Sequence, residues 1–144
     1  MRAVAQRVSQ ARVEVAQEVV GAIDLGLLVY LGVGKGDGDA DVAAMVQKLA
    51  GLRIFEDEDA RTNRSLLDVG GACLLVSQFT LYADTRRGRR PGFTDAAWPD
   101  VAKALWLRVA DGIRFQGVEV GLGEFGAAMA VELAAALRAL TGRP

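Results

Sequence analysis

CLLVSQFTLYADTRRGRRPGF, Cys73 to Phe93, is the stretch around which the rest of the chain is ordered. Cys73 to Val76 is an apolar run of strand length. Ser77, Gln78 and Thr80 then bring two hydroxyls and an amide into the same element, interrupted only by Phe79, before Leu81 and Tyr82 restore apolar character. A polar group buried without a partner costs about 1–3 kcal/mol, so this run holds either satisfied strand polars or a polar pocket. Arg86, Arg87, Arg89 and Arg90 around Gly88, closed by Pro91 and Gly92, form a basic turn. Such a turn is either a solvated loop or a contact for an anionic partner.

Outward from this stretch, 144 residues with 51% hydrophobic content are enough for one domain with a real core, taken as residues 1–144. No apolar run is long enough to span a bilayer and no signal peptide opens the chain, so a soluble, cytoplasmic protein is expected. The single cysteine, Cys73, excludes an internal disulfide and a multi-cysteine zinc site, and reads as a core residue. Histidine is absent altogether. That removes Ser-His-Asp and Cys-His mechanisms and the commonest general base. A hydrolase built from this chain must work with backbone donors, carboxylates, hydroxyls or the substrate's own groups. The net charge of −1 confines any nucleic-acid contact to a local patch.

Residues 1–8 and 11–16 suggest two strands of a hairpin turning at Ser9-Gln10, followed by a strand over Val19 to Ile23. Leu25 to Val33, almost wholly apolar, predicts a strand buried on both faces. Gly32 to Gly38 is glycine-rich but lacks the Ser/Thr after Lys35 of a phosphate cradle and the twelfth-position Glu of a calcium loop. A plain loop is the preferred reading. Asp39 or Asp41 is expected to cap a helix over about residues 40–50, with Val42, Met45, Val46 and Leu49 on one face. Leu52 to Phe55 and Ser65 to Val69 are short strand candidates, and the acidic run Glu56 to Asn63 is a solvated turn. Thr94 or Asp95 is expected to start a second helix, with Pro99 in its first turn and Val101, Ala104, Leu105, Val109 and Ile113 as its stripe. Val118 to Val120 predicts a strand. In the last segment, an alternating strand around Met129, Val131 and Leu133 competes with a helix in Ala134 to Gly142.

Several segments together carry a family resemblance: Gln6-Arg7-Val8 in AQRVSQARVEV, GLLVYLGVGKGD, LRIFEDE with Asn63, Ser77-Gln78-Phe79-Thr80 in SQFTLYADTRRGRRPGF, and GEFGAAMAVEL. In register they run from the start of the chain to about Leu133. The chain resembles the D-aminoacyl-tRNA deacylases (D-tyrosyl-tRNA deacylase family). The resemblance implies an α/β fold: a single compact domain with a mostly antiparallel, barrel-like sheet and two main helices. It also implies a homodimer with sites between the subunits. One departure stands out. Family members end the last strand with Asn-x-Gly-Pro-Val-Thr, whose cis Gly-Pro peptide enters the partner's pocket and excludes L-amino acids. Here Ala135, Ala136, Leu137, Arg138, Ala139 and Leu140 occupy that place. A non-proline cis bond costs about 2.5–4 kcal/mol, so that geometry is not expected at Leu137-Arg138.

The implied activity is hydrolysis of the ester between a D-amino acid, or glycine, and the terminal adenosine of tRNA, without metal or cofactor. Thr80 and Gln78 are the implied catalytic positions. Thr80 positions the substrate and lends its backbone N–H to an oxyanion hole, since a threonine without a base is a poor nucleophile. Ser77 and Gln78 would hydrogen-bond the substrate, and Phe79 would support the pocket wall or add a donor. Phe93 and Met129 resemble residues around the terminal adenine, although core packing explains them equally well. Arg7 resembles a residue that braces the missing signature. The alternative is a family-derived protein that binds the tRNA acceptor end without chirality-gated hydrolysis.

Overall fold

The computed structural model describes residues 1–135, an α/β fold built on one curled six-stranded sheet. In chain order its elements are β1 (Arg2–Val15), β2 (Glu18–Ile23), β3 (Gly26–Gly32), α1 (Asp39–Gly51), β4 (Phe55–Glu56), β5 (Thr62–Arg64), α2 (Leu66–Val69), β6 (Ala72–Ser77), a 3-10 turn (Phe79–Tyr82), α3 (Pro99–Phe115), β7 (Val120–Leu122) and β8 (Ala130–Ala135). The helix considered for the end of the chain, with the substitution at Leu137 and Arg138, lies outside the described residues.

Strand β1 is the spine. Its first half pairs antiparallel with β3, from Arg2↔Gly32 to Val8↔Gly26, and its second half with β2, from Ala11↔Ile23 to Val15↔Glu18. Strand β8 covers the other edge of β1. On the far side of β3 the sheet becomes parallel, with β6 and then β7 running in the same direction as β3. The sheet curls until β2 packs against β6 and β7, which nearly closes it.

Alternation along the strands builds two apolar layers. Leu27, Val29, Leu31, Cys73 and Leu75 face α1 and α3, where Val46, Leu49, Val109 and Ile113 meet them. Leu28, Leu74 and Val76 face inward with Val8 and Val13. Strands β3 and β6 are therefore buried on both faces, as their uninterrupted apolar runs require. Burial of Cys73 in the first layer pushes its thiol up to about 12, because desolvation disfavours the thiolate. Cys73 is accordingly expected to resist a thiol reagent at pH 8 in the native protein and to react once the chain is unfolded in urea. Stoichiometric labelling without denaturant would contradict this packing.

Several local expectations are corrected. Ser9-Gln10 is not a hairpin turn: β1 runs through it, and the pairing with β8 merely shifts register between Val8 and Gln10. The reversal falls at Ala16 and Gln17, both with positive φ (50° and 68°). Neither is a usual turn former, so sequence chemistry gave no signal there. Ser65 to Val69 is not a strand but a helical turn. The Ser65 hydroxyl accepts from Asp68 N–H (3.2 Å) and the Asp68 carboxylate accepts from Ser65 N–H (2.8 Å). This reciprocal cap explains both the turn and the lowered Asp68 carboxyl. Helix α1 starts after Gly38, with Asp41 accepting from Gly38 N–H (2.9 Å), and α3 starts after Trp98 with Pro99 first. The buried stripe of α3 includes Ala102, Trp106 and Ala110, leaving Val101 and Ala104 exposed. In the acidic segment, Asp57 accepts from Asp59 N–H, Arg61 N–H and Asn63 Nδ2, which makes it the organiser of a tight turn.

Candidate active site

The parallel arrangement of β3 and β6 brings their carboxyl ends side by side, with Leu31 opposite Ser77. In sheets with parallel strands, ligand crevices lie beyond such ends. Here a cleft of about 680 Å³ opens there. It is mostly apolar, walled by Tyr30, Val33, Phe93, Trp98, Trp106 and Phe125, with Ser77 and Gln78 at its polar edge.

Ser77 closes β6, and only the residues before it are buried. The polar run thus sits at the mouth of the strand rather than inside the core, which is how its hydroxyls and amide avoid a desolvation cost. Gln78 N–H donates to the Leu31 carbonyl (2.8 Å), pinning the crossover from β6 into the 3-10 turn. The Gln78 side-chain amide donates to Thr80 Oγ1. Within the turn, Leu81 N–H donates to Gln78 and Ala83 N–H to Thr80. Among the described residues, the N–H groups of Phe79 and Thr80 have no acceptor in the chain. Arg2 holds the turn from outside: its guanidinium donates to the Leu81 carbonyl (2.9 Å) and lies 4.4 Å from the Tyr82 ring centre.

Phe79 and Phe93 meet edge to face, ring centres 5.1 Å apart, so the basic turn is docked on the same rim. Met129 and Val131 face the cleft from the β8 side. On the opposite lip, Lys35 lies over the exposed Trp98 ring at 5.7 Å. The glycine-rich loop that carries Lys35 is fixed at several points. Asp37 accepts from Gly34 N–H (2.7 Å) and pairs with the Met1 ammonium (2.7 Å), and Lys35 N–H donates to the Asp95 carbonyl (2.9 Å). The preferred reading of this segment as a loop agrees with this.

The structure therefore brings Ser77, Gln78, Phe79, Phe93 and Met129 to one cleft. Thr80 adjoins it through its bond to Gln78 but does not line it. Arg7 is elsewhere: it pairs with Leu27 at the far end of β3, about 13 Å along the strand from Leu31. Lys35, Trp98, Trp106 and Phe125 line the cleft without having been singled out as site residues. Trp98 is exposed despite its size, which only the structure reveals. Among the described residues no histidine and no carboxylate lines the cleft. Its polar groups are the hydroxyls of Tyr30, Ser77 and Thr94, the Gln78 amide and the Lys35 ammonium, together with the backbone.

A family model described as D-Tyr-tRNA(Tyr) deacylase matches residues 4–136. The chain belongs to that family. A D-aminoacyl-tRNA deacylase of Roseiflexus sp. (strain RS-1) is 60% identical over 92% of this chain and 86% of its own length. One from Thermus aquaticus is 56% identical over 92% and 88%. Among solved structures, a c-Myc DNA Unwinding Element Binding Protein superposes with a TM-score of 0.86 at 34% identity, covering 93% of this chain and 91% of that one. A probable eukaryotic D-amino acid tRNA deacylase has the same fold, with a TM-score of 0.78 at 19% identity over 93% of each chain. The family match ends at residue 136, inside the stretch Ala135 to Leu140.

Proposed function

We propose that this chain hydrolyses the ester between a D-amino acid and the terminal adenosine of tRNA, a chiral proofreading step in translation. The observation that carries this reading is the pair of unengaged N–H groups at Phe79 and Thr80, beside Ser77 and Gln78 at the cleft mouth. An aminoacyl ester is already activated, so the protein need supply no strong nucleophile. Two N–H groups aimed at the developing oxyanion are worth orders of magnitude in rate. The neighbouring ribose 2′-hydroxyl assists the attacking water. Gln78 orients Thr80 and, with Ser77, hydrogen-bonds the substrate.

The half-buried Phe93 and Met129 seat the adenine, one offering an aromatic surface and the other a polarizable thioether. The active form is a homodimer in the cytoplasm. Exposed apolar residues on the sheet, Val4, Val19, Val20 and Leu133, leave apolar surface for a partner. In the dimer, Arg7 acts at the partner's site rather than at the cleft of its own chain. No helix among the described residues is long and apolar enough to cross a membrane. The alternative of a binding-only relative is not favoured, because the family's deacylases are so similar over nine-tenths of the chain.

The test is deacylation of matched D-tyrosyl-tRNA and L-tyrosyl-tRNA by purified protein, with its mass in solution measured in parallel. The D ester is expected to be lost and the L ester retained, by a dimer. Loss of both would show the chemistry running without a chiral filter. Loss of neither, with the protein folded, would overturn the proposal.

A further inference from the structure

We propose that the loop from Thr85 to Pro91 grips the sugar-phosphate backbone of the tRNA 3′ strand next to the cleft, through Arg87, Arg89 and Arg90 but not Arg86. The inference rests on the deacylase reading and adds the part of the substrate that lies beyond the ester.

The loop is a built feature. Asp84 and Gly92 close its neck with two backbone hydrogen bonds, Asp84 N–H to Gly92 (2.7 Å) and Gly92 N–H to Asp84 (2.9 Å). Gly88 turns its tip with φ +69°, a conformation that L side chains rarely adopt. The four arginines are all exposed, yet they are not equivalent. Arg86 is already engaged. Its Nε and Nη2 donate to the two oxygens of Asp84 (2.9 and 2.7 Å), while its backbone N–H donates to the same carboxylate (3.0 Å). That bidentate pair holds the Asp84 carboxyl well below the usual range, and Asp95 adds a further favourable charge to Arg86. The acidic groups near the loop are thus directed at Arg86. Arg87, Arg89 and Arg90 form no ion pair or hydrogen bond among the described residues, leaving three free guanidinium forks in a chain whose net charge is −1.

Position identifies the anion. The residue after the neck is Phe93, which lines the cleft and meets Phe79 edge to face. Arg90 and Arg89 are two and three residues from Gly92, within about 10 Å of chain. A substrate whose terminal adenosine lies in the cleft carries phosphates every few ångströms along its strand. Guanidinium forks bind phosphate bidentately. Arg86, fixed to Asp84, stiffens the neck instead.

Three contacts to a single strand give a slope of about −2 in log affinity against log salt, or about a 20-fold loss between 50 and 200 mM. The experiment compares wild type, the triple variant Arg87→Ala/Arg89→Ala/Arg90→Ala, and the same three positions changed to Lys. It reads kcat/KM on D-tyrosyl-tRNA across that salt range, kcat/KM on D-tyrosyl-adenosine, which has no phosphate, and the Kd for uncharged tRNA. The alanine variant is expected to lose about two units of slope in kcat/KM and in Kd while hydrolysing D-tyrosyl-adenosine like wild type. The lysine variant is expected to keep most of the slope. An unchanged slope in the alanine variant would overturn the proposal. So would an equal loss on both substrates, which would make the loop a support for the cleft wall. If wild type cleaves neither substrate, the deacylase reading fails, and the tRNA-binding slopes still decide the role of the loop.

Discussion

Replacing Phe79 by proline is expected to lower the rate of D-aminoacyl-tRNA hydrolysis about 10²–10³-fold below that of Phe79→Ala, the usual loss when one oxyanion donor is removed. Both variants lose the ring and its edge contact with Phe93. Only proline also loses the backbone N–H. The site tolerates the change structurally. Phe79 is the first residue of the 3-10 turn, where the fixed φ of proline is accommodated, and Gln78 before it, at φ −147° and ψ 84°, lies outside the α region that a following proline disfavours. The lost N–H has no acceptor among the described residues, so no bond described within the chain is sacrificed. Single-turnover hydrolysis decides the matter: equal rates for the two variants would remove Phe79 from the oxyanion hole. Thr80→Ala, by contrast, removes a hydroxyl that receives the Gln78 amide and leaves the N–H in place. It should lose no more than about tenfold, well below the roughly 10²–10⁴-fold that a side chain transferring a proton contributes. A loss of several orders of magnitude would make the Thr80 hydroxyl the nucleophile.

The largest effect on stability is expected at Gly26. This residue opens the parallel ladder between β3 and β6, opposite Ala72, whose N–H donates to Leu25 (2.9 Å). A Cβ at Gly26 would collide with the Ala72 backbone, where no flexible side chain can give way. Gly26→Ala should cost about 3 kcal/mol, the upper part of the range for forcing atoms into a packed interior. The same change at Gly51, in the last turn of α1 with nothing within 4 Å of the added carbon, should stabilise by up to about 1 kcal/mol. Urea unfolding midpoints compare them directly. A pair of shifts of the same sign would contradict the close approach of β3 and β6.

Much of this was legible in the residues. The apolar run Leu25 to Val33 announced a strand buried on both faces, realised as β3 (Gly26–Gly32), and Cys73 to Val76 announced a buried strand, because hydrophobic patterning reports burial directly. The polar run Ser77, Gln78 and Thr80 reads as part of the central strand, but β6 ends at Ser77 and the chain turns there, so these groups stand at the strand's mouth. What could not be read were features fixed by tertiary contact. The reversal at Ala16 and Gln17 uses residues with no turn preference and is imposed by the pairing of β1 with β2. Ser65 to Val69 has strand-like composition, and its helical cap emerges only once Ser65 and Asp68 exchange bonds. The cleft's aromatic wall draws Trp98 from the cap of α3, Trp106 from α3 and Phe125 from the segment before β8, far apart in sequence but adjacent to the ends of β3 and β6. The inequality among the four arginines was equally invisible until Asp84 was seen to claim Arg86.

The two edges of β1 also impose an order of events on folding. Its pairing with β2 and β3 is local and can form as soon as the first 32 residues are available. Its pairing with β8 joins groups such as Ser9 and Ala134, 125 positions apart. Contacts of such span are slow to form, because the intervening chain must first be confined. During synthesis, β1 therefore leaves the ribosome long before the strand that covers its second edge. That edge, with its row of unpaired backbone groups, stands open to other chains in the interval. Aggregation of nascent or truncated chains is expected to begin there, and the charged residues Arg12 and Glu14 next to it oppose such pairing until β8 arrives.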